Sequence, residues 1–105
     1  MRTLKFIVDV QHIYKDPNCD FSNIVAGTRN YLQAEFAFSP EWQNCIMAAS
    51  FWRGGQEHAV LIKDGKCDIP PEVLGGRTFG LSILGRRDDY QITTNRVIVR
   101  QEVPR

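Results

Sequence analysis

The sequence predicts an all-β protein, an antiparallel β-sandwich of seven to eight short strands with an immunoglobulin-like or jelly-roll-like organisation. Several short segments alternate apolar and polar residues with a period of two, and turn-forming pairs separate these segments. No segment has the length and periodicity of a helix that could connect parallel strands. At 105 residues, with 43% hydrophobic and 24% charged residues, the chain is predicted to form a single domain over residues 1–105.

The N-terminal third predicts two strands separated by loops. Apolar residues occupy alternate positions of the first strand, which predicts that these side chains face the interior: Leu4, Phe6, Val8 and Val10. Turn formers at Asp16–Asp20 follow, and the next loop is expected to bury Phe21, Ile24 and Val25. The second strand, Tyr31–Phe38, is predicted to have an inward set of Leu32, Ala34, Phe36 and Phe38.

The middle of the chain predicts hairpins. Ser39–Trp42 favours a turn or a short helix, and it leads into a strand over Cys45–Arg53. Gly54-Gly55 predicts a hairpin turn to a strand over Glu57–Ile62. The Asp64-Gly65 pair then predicts a tight hairpin to the short strand Cys67–Ile69.

The C-terminal third predicts one helical turn and three strands. Pro70-Pro71 allows a single helical turn, which Gly75-Gly76 ends. The predicted strands that follow are Thr78–Leu84, Tyr90–Thr93 and Arg96–Val103, with a polar turn at Gly85–Asp89 after the first of them. Val97 and Val99 are predicted to point inward.

The sequence contains no recognisable catalytic or metal-binding motif. His12 and His58 have no second ligand at metal-site spacing, and no Gly-rich phosphate loop or CxxC motif is present. We therefore predict no enzymatic activity, no catalytic residue, no metal and no cofactor. Of the three cysteines, Cys45 and Cys67 are expected to be buried thiols, and Cys19 is expected to be the most exposed.

The overall charge and hydropathy exclude several classes of partner. Thirteen basic against twelve acidic residues leave a net charge of +1, which disfavours nucleic acid and anionic membranes as partners. The apolar runs are shorter than the ~20 residues that cross a bilayer. The N-terminus has no signal-peptide pattern, which predicts synthesis in a cytoplasm.

Aromatic and arginine side chains are the candidates for binding. Trp42 is predicted to fill the core, whereas Trp52 lies next to Phe51 on a strand, so the two must face opposite ways. Trp52 with Arg53, beside the Gly54-Gly55 turn, is the predicted exposed patch.

A set of turn and strand motifs resembles a known family. These motifs are Phe38-Ser39-Pro40-Glu41-Trp42, Ala49-Ser50-Phe51, the block from Leu61 to Leu74 with its core DGKCDIPPEVL, Gly85, and Thr93 to Val99. Together, over about Leu4 to Val103, the chain resembles the small β-sandwich domains of tail or baseplate proteins of phages and prophages of Gram-positive bacteria, of the baseplate upper protein type. The resemblance implies a virion-associated module that docks onto a larger assembly, with no catalytic residues to carry over.

Three functions follow as hypotheses. The first is a virion structural or adaptor protein that binds protein partners or itself, located in the virion or the host bacterial cytoplasm; exposed sheet edges also favour a homodimer formed by strand pairing. The second is a phage inhibitor of a host defence system, acting by protein or cyclic-nucleotide binding, with phosphate held by Arg86, Arg87, Arg53 or Arg77. The third is a carbohydrate-binding module with Trp52 and Tyr31 as stacking platform.

Overall fold

The computed structural model describes residues 1–104 and shows an all-β sandwich of two sheets, which confirms the predicted fold class. Nine strands lie in the described residues, rather than seven to eight. They are β1 (Arg2–Asp9), β2 (His12–Lys15), β3 (Leu32–Phe38), β4 (Ile46–Arg53), β5 (Gln56–Leu61), β6 (Lys66–Asp68), β7 (Thr78–Arg87), β8 (Tyr90–Thr93) and β9 (Val97–Arg100). Short 3-10 helices at Pro40–Trp42 and Pro71–Val73 match the predicted helical turns. The strand that the sequence did not predict is β2, which forms a tight hairpin with β1.

Sheet I has the strand order β2-β1-β3-β6 and contains one parallel pair. β1 and β3 run parallel, with Arg2 opposite Leu32 and Val8 opposite Phe38. The predicted antiparallel sandwich is therefore confirmed for the other strand pairs, and this pair is the exception. The connection explains it, because segment 16–31 returns the chain to the end at which β1 began.

Sheet II has the order β5-β4-β7, and both β8 and β9 pair with the far edge of β7. The β4–β5 hairpin turns at Gly54-Gly55 as predicted, with a φ of 60° at Gly54. β7 is longer than expected, since residues 85–87 continue the strand and only Asp88-Asp89 form the turn. The last strand is shorter than expected and ends at Arg100.

The Asp64-Gly65 turn joins the two sheets. Both residues have positive φ, 54° and 73°, which is the conformation of a type I′ turn. Lys63 and Lys66 exchange backbone hydrogen bonds of 2.9 and 3.0 Å across it. The predicted tight turn is confirmed, but β5 before it belongs to sheet II and β6 after it pairs with β3 in sheet I.

The core lies between the inner faces of the sheets. Trp42 is buried as predicted, and it continues an aromatic row with Phe6, Phe36 and Phe38 in which successive ring centroids are 5.5 to 5.8 Å apart. On the sheet II side of the core, Phe51 is also fully buried. Both sheets thus contribute aromatic side chains to one hydrophobic cluster.

Several side chains expected inside are not fully buried, and among them Phe38 and Val97 are partly buried against the core. Val10 is 43% exposed because the chain turns there with a φ of 55°, so the alternation of β1 ends at Val8. Val25 is also 43% exposed, although Ile24 beside it is buried and Phe21 packs against the core. Cys45 is only partly buried because it precedes β4, whereas Cys67 is buried as expected and Cys19 is half-buried.

Loops close one end of the sandwich. Ile69, Val73 and Leu74 are buried there, and the carbonyl of Leu74 accepts a 2.7 Å hydrogen bond from the Gly27 N–H. The Arg2 guanidinium donates to three backbone carbonyls of segment 16–31, at 2.6 to 3.1 Å. No helix among residues 1–104 is long and apolar enough to cross a membrane.

Candidate protein-binding face

The outer faces of the two sheets differ in chemistry. On sheet I, Glu35 lies between Lys5 and Lys66, with N–O distances of 3.9 and 3.7 Å. His12 and Tyr14 pack against each other beside them, at 5.2 Å between ring centroids. Exposed ion pairs and polar rings are typical of a solvated face.

The outer face of sheet II carries mostly apolar and small side chains. The pairing registers place the following residues on it: Ile46, Ala48, Ser50 and Trp52 from β4; Glu57, Ala59 and Leu61 from β5; Gly80, Ser82, Leu84 and Arg86 from β7; Gln91 and Thr93 from β8; and Ile98 and Arg100 from β9. Ile46 is 74%, Leu61 60% and Ile98 47% exposed. Large apolar side chains exposed on the same face of a sheet are characteristic of a contact surface.

Trp52 forms the centre of a stack on this face. Its indole Nε1 donates a hydrogen bond of 3.2 Å to the Ser82 hydroxyl, and the Arg96 guanidinium lies 4.0 Å from the ring centroid. Gly80 makes room for this arrangement, since a Cβ there would lie 2.6 Å from Cδ of Arg96. The stack holds a cation on the aromatic ring and leaves the guanidinium on the surface.

Charge is distributed unevenly across the face. Arg86, Arg96 and Arg100 lie along its β8–β9 side, whereas Glu57 lies on its β5 side. In residues 1–104, none of the four takes part in an ion pair. A partner with acidic groups beside an apolar surface would complement the arginine side.

Two of the predicted binding residues lie on this face. Trp52 is half-buried at the end near the β4–β5 turn, and Phe51 points inward as the alternation predicted. Arg86 lies at the other end of the face, where its guanidinium donates to the Gln91 side chain at 2.9 Å.

Arg53 and Tyr31 lie away from it. Arg53 reaches the closed end of the sandwich, where its Nη1 is 3.5 Å from the Glu72 carbonyl oxygen. Tyr31 is exposed immediately before β3 of sheet I, beside Arg2, whereas Trp52 belongs to sheet II. The structure therefore does not bring Trp52 together with Arg53 or with Tyr31.

Arg87 is part of the β7–β8 hairpin's attachment to the fold. Its guanidinium donates to the Gln43 carbonyl at 2.8 Å and lies 5.2 Å from the centre of the Tyr90 ring. The Tyr90 hydroxyl donates to the Glu41 carbonyl at 2.8 Å. These contacts hold the hairpin against the first 3-10 helix.

Sequence reasoning did not find Ile46, Leu61, Ile98 or Arg96. The sequence did contain a signal for Ile46. Residues 46–52 are apolar or small at almost every position, whereas a strand with one solvated face alternates apolar and polar residues. Such a run predicts a strand that is covered on both faces. In this chain only the inner face of β4 is covered.

Several clefts indent the described surface, and one of them is lined by Arg86, Asp88, Asp89 and Tyr90. A second cleft, of about 380 Å³, has no titratable side chain in its lining, which consists of Phe38, Ser39, Pro40, Trp42, Gln43, Asn44 and Met47. Another, of about 290 Å³, lies at the closed end between Gly27 and Gly75. Within residues 1–104, no three His, Cys, Asp or Glu side chains are grouped to hold a metal ion.

Taken together, the fold and this face define a β-sandwich with one solvated and one largely apolar outer surface. No family model matches the chain, and no curated protein matches it. The function is therefore inferred from the geometry of the face and from the sequence resemblance.

Proposed function

We propose that this chain is a non-enzymatic structural or adaptor protein of a phage or prophage virion, of the tail or baseplate type, which binds a protein partner through the outer face of sheet II. The observation that carries the proposal is the exposure of Ile46, Leu61 and Ile98 on one sheet face. The Trp52–Arg96 stack lies on the same face, at its end near the β4–β5 turn.

Burial of this apolar surface by a protein partner is favoured in free energy. Removing apolar surface from water contributes roughly 25 cal/mol for each Å² buried, and aromatic and arginine side chains are enriched where protein interfaces bind most strongly. The unbroken pairing of β4 with β7 holds the backbone of this surface in place, so little backbone entropy is lost on binding. A preformed, largely apolar surface suits a permanent contact in an assembly.

The virion context comes from the sequence resemblance. Its motif residues support the fold: Ile69, Val73 and Leu74 close one end of the sandwich, and Asp64-Gly65 connects the sheets. The proposed location is accordingly the virion, or the host bacterial cytoplasm before assembly.

The other two hypotheses have less geometric support. Arg53 and Arg77 lie at one end of sheet II and Arg86 and Arg87 at the other, roughly 30 Å apart at the ~3.3 Å rise of a strand residue, so they do not form one phosphate pocket. Trp52 lies on the outer face of sheet II and Tyr31 immediately precedes β3 of sheet I, so they do not form one sugar platform.

The test is site-specific photo-crosslinking in assembled particles. We expect Ile98→p-benzoylphenylalanine to crosslink to a virion protein, because Ile98 is 47% exposed on the proposed face. Mass spectrometry of the purified particles identifies the crosslinked chain.

Val103 supplies the matched control. It is 43% exposed but lies outside the face, so Val103→p-benzoylphenylalanine is expected to give no such product. Purified particles that lack the chain, or equal crosslinking from both positions, would contradict the proposal.

A further inference from the structure

The Arg96 side chain is held in a defined position on the outer face of sheet II. Its guanidinium carbon lies 4.0 Å from the centroid of the Trp52 ring, whose Nε1 is fixed by the hydrogen bond to the Ser82 hydroxyl. The aliphatic part of Arg96 passes over Gly80, where an added Cβ would lie 2.6 Å from Cδ and 2.9 Å from Cγ. The stack therefore orders a long side chain before any partner binds, which reduces the entropy lost on binding.

The hydrogen-bonding groups of this guanidinium are unused within the protein. The N–H donors of a guanidinium point outward in its plane, so stacking on a ring leaves them accessible. Arg96 donates no side-chain hydrogen bond and forms no ion pair among residues 1–104, although Glu57 is paired with Trp52 in the β4–β5 ladder. Such a group is suited to bind a carboxylate or a phosphate through two parallel hydrogen bonds.

Two further side chains of the same face lie beside the stack. Ile98 pairs with Gly80 in the β7–β9 ladder and is 47% exposed. Arg100, two residues further along β9, is exposed on the same face and forms no ion pair within the described part of the chain. One apolar contact and two cationic contacts are therefore presented side by side.

These surroundings favour a protein carboxylate over a nucleic-acid phosphate. Proteins bind single-stranded nucleic acid through several phosphate contacts and by stacking bases on free aromatic rings. The Trp52 ring already carries the Arg96 guanidinium, the acidic Glu57 lies opposite Trp52, and the net charge of the chain is only +1. A carboxylate next to an apolar side chain, as a protein surface presents them, complements the site in both charge and hydropathy.

We propose that Arg96, held on Trp52, and Arg100 bind carboxylate side chains of the protein partner, and that a neighbouring apolar side chain of the partner packs on Ile98. The inference rests on the proposed function, because it takes the outer face of sheet II as the binding face. It adds the chemistry of the partner, which is an acidic segment that also carries an apolar residue.

NMR titration of the isotope-labelled full chain with synthetic peptides tests this chemistry. The probe is a short, soluble peptide with the repeat Glu-Ser-Leu-Ser, which places glutamate and leucine on one face when it is extended. We expect it to shift the signals of the Trp52 indole N–H and of the Arg96 and Arg100 Nε–H groups in a saturable way. The counterpart with glutamine in place of glutamate should bind about tenfold more weakly, because it lacks the charged acceptors.

Two substitutions test the guanidinium groups directly. Arg96→Gln and Arg100→Gln should each weaken binding of the glutamate peptide about tenfold, since each removes a charged donor. Arg29→Gln is the matched control, because Arg29 is also exposed but lies at the closed end of the sandwich. Binding by this variant should equal that of the unchanged chain.

Gly80→Ala tests the stack without changing any charge. The added Cβ would lie 2.6 Å from Cδ of Arg96, so the arginine must shift from its position on Trp52. We expect about fivefold weaker binding of the glutamate peptide, because the guanidinium must then be ordered when the peptide binds. Gly55→Ala is the control, since a Cβ at Gly55 would have no neighbour within 4 Å, and it should leave binding unchanged.

The contrary outcomes are distinct. Equal or no saturable binding of the two peptides, or unchanged binding by Arg96→Gln or Gly80→Ala, would overturn the proposal. Tighter binding of oligodeoxythymidylate than of the glutamate peptide would also overturn it and would indicate nucleic acid as the ligand. Crosslinking from Ile98 in particles tests the virion role separately. A crosslink without peptide binding would remove this inference alone, and peptide binding without a crosslink would remove the virion role alone.

Discussion

The thiol of Cys67 shows how a single side chain responds to the core. Cys67 lies opposite Ala34 in the ladder of β3 and β6 and is only 7% exposed. Burial, with the Asp68 carboxylate next to it, raises its pKa from 9.0 to about 12. A protonated, buried thiol of this kind is unreactive at neutral pH.

This shift predicts a loss of stability at alkaline pH. The thiol of the unfolded chain ionises above pH 9 while the folded thiol keeps its proton up to about pH 12, so stability falls as pH rises through this window. At pH 10 the loss from this group is about 1 kcal/mol relative to pH 7. Denaturant unfolding of the full chain and of Cys67→Ala at both pH values measures it.

The comparison isolates this one group. All other ionisable groups are present in both proteins, so the difference between the two pH dependences belongs to Cys67. Equal losses in the two proteins would show that its ionisation is not coupled to folding.

The β1–β2 turn shows strain within one element. Val10 has a φ of 55°, a region in which a β-branched residue is disfavoured by roughly 1–2 kcal/mol. The first 3-10 helix and the residue before it maintain this conformation. The Val10 N–H donates to the Ser39 hydroxyl at 2.8 Å, and the Trp42 indole donates to the Val10 carbonyl at 2.7 Å.

Asparagine at this position is expected to stabilise the protein. Val10→Asn keeps both backbone bonds and adopts positive φ at lower cost, so the free energy of unfolding should rise by about 1 kcal/mol. Thermal and denaturant unfolding measure the change.

Val25 provides the control. It is as exposed as Val10, at 43%, and it does not have a positive φ. Val25→Asn is therefore expected to give no gain. An equal gain in both variants would mean that removing an exposed apolar side chain, rather than relieving strain, accounts for the effect.

At the scale of the whole molecule, one side chain connects the two sheets. Asn95, in the break between β8 and β9, accepts a 2.7 Å hydrogen bond from the Ile13 N–H and donates one of 3.2 Å to the Ile13 carbonyl. Its own N–H donates to the Gln11 carbonyl at 3.2 Å. Asn95 thus takes the place of a neighbouring strand at the free edge of β2.

Removing the Asn95 amide should destabilise the whole fold. Asn95→Ala leaves the partly buried N–H of Ile13 without a partner, which costs about 1–3 kcal/mol. Asn18→Ala is the control, because Asn18 is exposed and its side chain makes no hydrogen bond within residues 1–104. Equal denaturant midpoints for the two variants would show that the Asn95 amide does not contribute to the free energy of unfolding.

Much of the core and most strands could be predicted from the sequence. Alternation identified the inward residues of β1 and β3 up to Val8 and Phe36, because a strand buried on one face has a period of two. Gly54-Gly55 and Asp64-Gly65 identified their turns, since positive φ is required there. The sequence also indicated that Trp42 is internal, and that Phe51 and Trp52 face opposite ways.

Tertiary structure alone decided how the strands associate and which residues share a surface. The parallel pairing of β1 with β3, and the crossing from sheet II to sheet I at Asp64-Gly65, depend on contacts between residues far apart in the chain. The face that combines Trp52, Arg96 and Ile98 is formed from three strands, so no local pattern could show it. Local periodicity reports which side of a strand is buried, whereas the neighbour across the sheet is set by the packing of the whole chain.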